Sequence, residues 1–205
     1  MASVVFVGGC NFRCAYCHNH ALAFTPNELN PIPEAEIFDK LKGMNGWIDG
    51  VIVSGGEPTL HGDELAEFLK SLKYEGFKTK LYTNGSMPDV INKLICGGLL
   101  NAVSMDIKHR PERYGEIVEV ALPDLQDRIS RSVDMIKKSN IEAEFRTTIV
   151  KGIHSVEDIR VIREMVKPKA LILQNVSESD IPEGHRDMIL PFTATEFEEL
   201  QKLNQ

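Results

Sequence analysis

Apolar positions along the chain follow two periods in alternation. Short runs bounded by glycine and polar turns read as strands: Val4 to Val7, Val51 to Val53, Lys80 to Tyr82, Ala102 to Met105, Ala143 to Val150 and Ala170 to Leu173. Between them apolar residues recur at helical spacing. Ile37, Phe38 and Leu41 follow a start at Pro33-Glu34, and Leu65, Phe68, Leu69 and Leu72 run to a glycine stop at Gly76. Val90, Ile91, Leu94 and Ile95 mark the next helix, and Ile129, Val133 and Ile136 one from about Leu125 to Lys138. Ile159, Ile162 and Val166 follow a capping start at Ser155 to Asp158, and a last helix begins at Thr195 with Glu198 three residues on. The segments from His109 to Pro123 and from Ser177 to Pro191 read as irregular loops, the first with a helical turn.

Six strands with intervening helices imply parallel strands joined by right-handed crossovers. An open (β/α)6 barrel and a flat doubly wound sheet both fit. In either, the working face lies at the C-terminal strand ends. The unusual motifs fall there: a cysteine loop, Gly55-Gly56-Glu57-Pro58, Thr83-Asn84-Gly85, Asp106-Ile107-Lys108, Arg146 and Gln174.

Composition narrows the class. The chain has 205 residues, 42% hydrophobic and 26% charged, which suits one α/β domain over 1–205, its core about 4–175 and a C-terminal loop and helix over 176–205. No apolar run approaches the roughly 20 residues of a membrane span, and no signal peptide is visible, so we expect a cytoplasmic protein without a membrane partner. The formal charge of −7 argues against nucleic acid.

The chemistry centres on Gly9-Cys10-Asn11-Phe12-Arg13-Cys14-Ala15-Tyr16-Cys17-His18-Asn19, directly after the first strand. Cys10, Cys14 and Cys17 are three of the chain's four cysteines. A reducing compartment disfavours disulfides, and three is an odd number. We read the loop as wrapping an iron–sulfur cluster, with one iron left without a protein thiolate. A zinc site using the three cysteines with His18 or His20 is the bland alternative, but structural zinc prefers two separated pairs. Cys96, at a helix end, reads as remote from the loop and as a small buried hydrophobe.

The cysteine loop, with Tyr16 before Cys17, resembles that of the radical S-adenosylmethionine superfamily, and Gly55-Gly56-Glu57-Pro58 resembles its second hallmark. Tyr16 to Asn19, Thr83 to Gly85, Met105 to Lys108 and Phe145 to Thr148 are similar to glycyl-radical-enzyme activating proteins, especially those of anaerobic ribonucleoside-triphosphate reductase. The likeness runs from about Phe6 to Gln174. It departs from that branch twice. A leader with an Asp-Tyr-Pro-Gly-like stretch is expected before the first strand, which here begins almost at Met1; either the start is missing or this is a shortened relative. An acidic residue common there is replaced by Tyr82.

The resemblance implies a partial, open (β/α)6 barrel of parallel strands. It implies a [4Fe-4S] cluster on Cys10, Cys14 and Cys17, whose fourth iron takes the amine and carboxylate of S-adenosyl-L-methionine. Reductive cleavage then yields a 5′-deoxyadenosyl radical. Gly55 and Gly56 would let the backbone approach the methionyl amine, and Glu57 would accept from that amine or brace the turn. Asp106 suits the ribose or amine, Lys108 and Arg146 the carboxylate, and Tyr16 and His18 the adenine. Thr83 and Asn84 complete the set, Asn84 being equally a turn former. Asp106, Lys108 and Arg146 could instead form a salt-bridge network across strand ends. His61, His109, His154 and His185 are scattered and receive no role.

Three functions follow. The first places a glycyl radical on a partner enzyme, fed by a flavodoxin- or ferredoxin-like electron donor, with the two irregular loops as docking rim. The second keeps the radical chemistry for a small molecule, as in deazapurine-forming relatives. The third is a non-catalytic metal module or electron carrier.

Overall fold

The computed structural model describes residues 1–120, 122–177, 181 and 189–203. The strands are β1 (Ala2–Val7), β2 (Arg13–Cys14), β3 (Gly50–Gly55), β4 (Lys78–Thr83), β5 (Ala102–Asp106), β6 (Val118–Glu119), β7 (Glu142–Ile149) and β8 (Ala170–Asn175). The helices are α1 (His20–Phe24), α2 (Glu34–Gly43), α3 (Gly62–Tyr74), α4 (Pro88–Cys96), α5 (Leu125–Lys138), α6 (Val156–Val166) and α7 (Ala194–Leu203).

Six strands form one parallel sheet in the order β1-β3-β4-β5-β7-β8. Chain order and spatial order coincide, so the sheet has no point at which the winding reverses. Consecutive right-handed crossovers then lay the crossover helices α2 to α6 on the same face. This is a partial barrel, open because among the described residues β1 and β8 are edge strands that do not pair with each other, and the doubly wound alternative is excluded.

Strand alternation shows which face is which. Val51, Val53, Leu81, Val103, Met105 and Phe145 are buried under the helices, against Leu69, Ile91, Ile129 and Ile162. Ile52, Lys80, Tyr82, Asp106 and Arg146 share the other, concave face and are only partly covered. At its lips Val4 and Ile172 are 42% and 40% exposed. A groove of about 1040 Å³ runs along β1, lined among others by Val5, Val7, Ile37, Leu41 and Phe68.

Three features differ from the sequence reading. The loop after β5 contains β6, which pairs antiparallel with β2 inside the cysteine loop. The last helix is capped two residues earlier than expected: Thr193 and Glu196, not Thr195 and Glu198, exchange backbone contacts at 2.9 and 3.3 Å. Cys96 is remote from the loop, as expected, but exposed rather than buried, because it lies on the solvent side of the last turn of α4, opposite the buried Leu94. The Ser155 capping box is present with Asp158 as its acidic member. The docking-rim segment from Ser177 to Pro191 lies mostly outside the described residues, as does His185.

Candidate active site

β1 feeds directly into the cysteine loop, and contacts from the end of β3 and from β6 fix that loop. Phe12 is 1% exposed and anchors it in the core. Arg13 donates to the carbonyls of Cys10 and Phe12 at 2.7 and 3.1 Å while lying over the Phe24 ring. Cys14 pairs with Val118 of β6, and the Ala15 amide donates to Ile117. Asn19 donates to the Gly55 carbonyl at 3.2 Å.

The Gly-Gly-Glu stretch closes against the same loop. Gly56 and Glu57 donate their amides to the carbonyls of Val7 and Gly9 at 2.9 and 2.8 Å. A Cβ on Gly55 would lie 2.2 Å from the Val7 oxygen, and one on Gly56 would lie 1.9 Å from the Gly9 oxygen. The backbone these glycines must approach is therefore that of β1 and the cysteine loop.

Glu57 is fully buried and braces the turn. Its carboxylate accepts from the Thr59 amide at 3.1 Å, the Thr83 hydroxyl at 2.7 Å, the Asn84 amide at 2.6 Å and the Thr59 hydroxyl. Burial pushes this carboxyl up, against four donors that favour its charged form. Asn84 donates its side-chain amide to Asn11 at 3.0 Å, and Asn11 donates to Ser86 at 2.8 Å. Glu57, Thr83 and Asn84 thus spend their polar atoms tying β3 and β4 to the cysteine loop.

On the concave face Asp106 accepts from Lys108 at 3.0 Å and from Arg146 at 2.8 and 2.9 Å. One carboxylate serves two cations, which leaves a unit of positive charge. The Arg146 guanidinium lies 4.1 Å over the Tyr82 ring, and the Lys108 ammonium lies 5.9 Å from the centre of the Tyr16 ring. Despite its own burial, the Lys108 amine is held well above its usual range, chiefly by Asp106.

The three thiols are free. Burial pushes Cys14 up to about 11 and raises Cys10 and Cys17, while the Lys108 ammonium opposes this at all three. Thiolate character is also supported by amides of Phe12 toward Cys10 and Asn19 toward Cys17. Among the described residues no three His, Cys, Asp or Glu side chains converge tightly enough for a single ion. A zinc site needs such a tetrahedral set, whereas a cubane is held at its separate corners.

The structure therefore brings together Cys10, Cys14, Cys17, Tyr16, Gly55, Gly56, Glu57, Thr83, Asn84, Asp106, Lys108 and Arg146. Tyr16 is 5% exposed and packs beneath the loop, its hydroxyl buried without a partner. His18 is exposed. Sequence reasoning missed His109 and His154, which it called scattered: their rings stack at 4.7 Å, with His154 bonded to the Lys108 carbonyl. The signal was available, since each closely follows the C-terminal end of a strand that carries a site residue.

The chain matches the Radical SAM superfamily over residues 4–166. The chain belongs to the radical SAM superfamily. It is 36% identical over 168 residues to a Methanocaldococcus jannaschii protein named as a glycyl-radical enzyme activating enzyme, covering 81% of this chain and 68% of that one. It is 28% identical over 156 residues to the pyruvate formate-lyase 1-activating enzyme of Escherichia coli K12, covering 73% of this chain and 61% of that one. The structure of Streptococcus suis SuiB bound to S-adenosylmethionine superposes with a TM-score of 0.73 at 18% identity, over 98% of this chain and 46% of that one. As a radical SAM enzyme, the protein uses a [4Fe-4S] cluster and S-adenosylmethionine. The donor set suits that pair: three free thiols at one loop, an ammonium beside them, and a buried Tyr16 hydroxyl lacking a partner.

Proposed function

We propose that this radical SAM protein places a glycyl radical on a partner enzyme. Cys10, Cys14 and Cys17 hold the cluster. Asp106, Lys108 and Arg146 receive the polar groups of S-adenosylmethionine, whose carboxylate is drawn by the surplus positive charge of the triad. Gly55, Gly56, Glu57, Thr83 and Asn84 hold the loop at its distance from these residues. Tyr16 forms the floor and His18 the rim. When bound through Cys10, Cys14 and Cys17, the cluster and S-adenosylmethionine would supply one-electron chemistry for hydrogen-atom abstraction from the substrate, with methionine and 5′-deoxyadenosine as the cofactor's products. The chain's own residues orient the cofactor, keep counter-charge at the thiolates and exclude water from the loop's inner side.

The observation that carries the choice of substrate is the 36% identity to a protein named as a glycyl-radical enzyme activating enzyme. The open edges of β1 and β8 support it, because an open concave face admits a polypeptide loop to the strand ends. A flavodoxin- or ferredoxin-like protein supplies the electron, and free thiols fit work in a reducing cytoplasm. Among the described residues no helix is long and apolar enough to cross a membrane.

The test mixes anaerobically reconstituted protein, reductant, S-adenosylmethionine and a glycyl radical enzyme encoded nearby. A glycine-centred doublet in electron paramagnetic resonance is expected. Cofactor cleavage without that doublet, stimulated instead by a small molecule, would replace this reading with the small-substrate one. Absence of any cleavage by fully loaded protein would point to a metal module.

A further inference from the structure

Lys108 places its ammonium beside the cysteine loop, 5.9 Å from the centre of the Tyr16 ring, and its backbone is held at both ends by residues outside the family motifs. Its amide donates to the Tyr114 hydroxyl at 3.2 Å. Its carbonyl faces His154 Nε2 at 3.0 Å. The other ring nitrogen, Nδ1, accepts from the Val150 amide at 3.0 Å, so His154 carries its proton on Nε2 and donates to Lys108. Tyr114 and His154 are 2% and 4% exposed. The ring is held from its flat side by His109, stacked at 4.7 Å with 14° between planes. Beyond the stack, Arg110 and Arg113 pair with Asp158 at 3.0 and 2.8 Å, joining the loop after β5 to the start of α6.

We propose that His154 is a positioning residue for S-adenosylmethionine binding: it fixes the Lys108 carbonyl, and with Tyr114 it holds the Lys108 ammonium beside Asp106 and the cysteine loop. The inference rests on the reading that Lys108 receives the cofactor. It is independent of which substrate the radical attacks. A residue with one free rotor at its backbone would present an ammonium that swings away from the Asp106 carboxylate. Two backbone bonds and a stacked ring remove that freedom before the cofactor arrives.

Two substitutions separate the two bonds of the ring. His154→Gln places an amide nitrogen near the Nε2 position and keeps the donor to Lys108. His154→Asn places an oxygen near Nδ1, keeps the acceptor for Val150 and leaves the Lys108 carbonyl unpaired. Each variant loses one buried hydrogen bond, so their melting temperatures should fall alike. The affinity of the cluster-loaded protein for S-adenosylmethionine is read by titration of the reduced-cluster resonance and by calorimetry, with no partner present. H154N is expected to weaken binding about tenfold or more, and H154Q to stay within about threefold of the native chain.

Tyr114→Phe, which keeps the buried ring and removes the acceptor for the Lys108 amide, should weaken binding as H154N does and serves if H154N fails to fold. Lys108→Met calibrates the scale. If K108M weakens binding while H154N and Y114F do not, the positioning role is overturned and the reading of Lys108 survives. Unchanged binding in K108M overturns both. Equal weakening in H154N and H154Q, in step with lost melting temperature, also overturns the role, because the ring would then act only through stability.

Discussion

At the scale of single residues, Gly55 and Gly56 change meaning between sequence and structure. Both were expected to make room for a ligand amine. The nearest atoms to a Cβ at either position are backbone atoms of Val7 and Gly9, which cannot rotate away. Gly55 also sits at a φ of +124°, open only to glycine at low cost. Gly56→Ala should therefore push the end of β1 and the cysteine loop apart. We expect a loss of about 1–3 kcal/mol or more in stability together with poor iron uptake, read by thermal melting and iron content after anaerobic reconstitution. Gly43→Ala is the control, since nothing outside its own helix backbone and chain neighbours lies within 4 Å of its Cβ position and it ends α2. Alanine there should stabilise by up to about 1 kcal/mol. A G56A protein that melts and loads iron like the native chain would show that the loop can shift aside.

His154 carries a second expectation at this scale. Burial holds its imidazole at about 4, and the groups around it are His109, Asp158, Arg110 and Arg113. An exposed histidine titrates near ~6.5, so the unfolded chain takes up a proton first as pH falls. Stability from this residue is complete above about 6.5 and is lost as pH drops toward 4. Between pH 7 and 5 the loss should be about 2 kcal/mol. His154→Gln has no proton to take up. Urea midpoints at the two pH values should therefore fall less for the variant, and equal slopes would mean that the native ring opens to water.

At the scale of elements, the strands and helices were legible because each has one dominant period. The six main strands end where polar motifs begin, and α5 runs from Leu125 to Lys138, as its stripe of Ile129, Val133 and Ile136 predicts. What stayed hidden was short or degenerate. β2 and β6 have two residues each, too few for alternation to register, yet their pairing pins Cys14. The stacking of His109 on His154 brings together two loops far apart in sequence, and the only hint in the sequence is that each histidine follows the end of a strand that carries a site residue. The α7 cap was misplaced because Thr193 and Thr195 both precede a glutamate at the spacing of a capping box. The two alternatives separate experimentally. Thr193→Ala should cost about 1 kcal/mol, the usual worth of an N-cap, while Thr195→Ala should stay within about 0.5 kcal/mol, as exposed positions do. A larger loss from T195A in a melting comparison would move the start of the helix.

At the scale of the whole molecule, the open seam decides what kind of substrate reaches the site. The carbonyls of Met1 and Val7 accept from Asp49 and Gly56 toward β3. By alternation, Ala2, Val4 and Phe6 turn their backbone groups to the free edge. Their side chains point to the concave face, where Val4 and Phe6 are 42% and 53% exposed. Across the seam, Ile172 of β8 is 40% exposed on the same face. Exposed β-branched side chains at both lips of a barrel whose concave face also carries Lys80, Tyr82, Asp106 and Arg146 suit contact with another chain. They lie well toward the N-terminal half of their strands, away from the cysteine loop. A double substitution, Val4→Lys with Ile172→Lys, should leave the cluster and S-adenosylmethionine untouched. Reductive cleavage without a partner should then stay within about twofold of native. The yield of glycyl radical on the partner should fall about tenfold or more, since two lysines facing one another across the opening must be desolvated on docking. The comparison is read in one sample series, 5′-deoxyadenosine by chromatography and the glycine doublet by electron paramagnetic resonance. If both signals fall together, the lips support the site itself. If neither falls, the partner loop enters from above the strand ends without touching the seam, and the open edge of β1 has no part in its recognition.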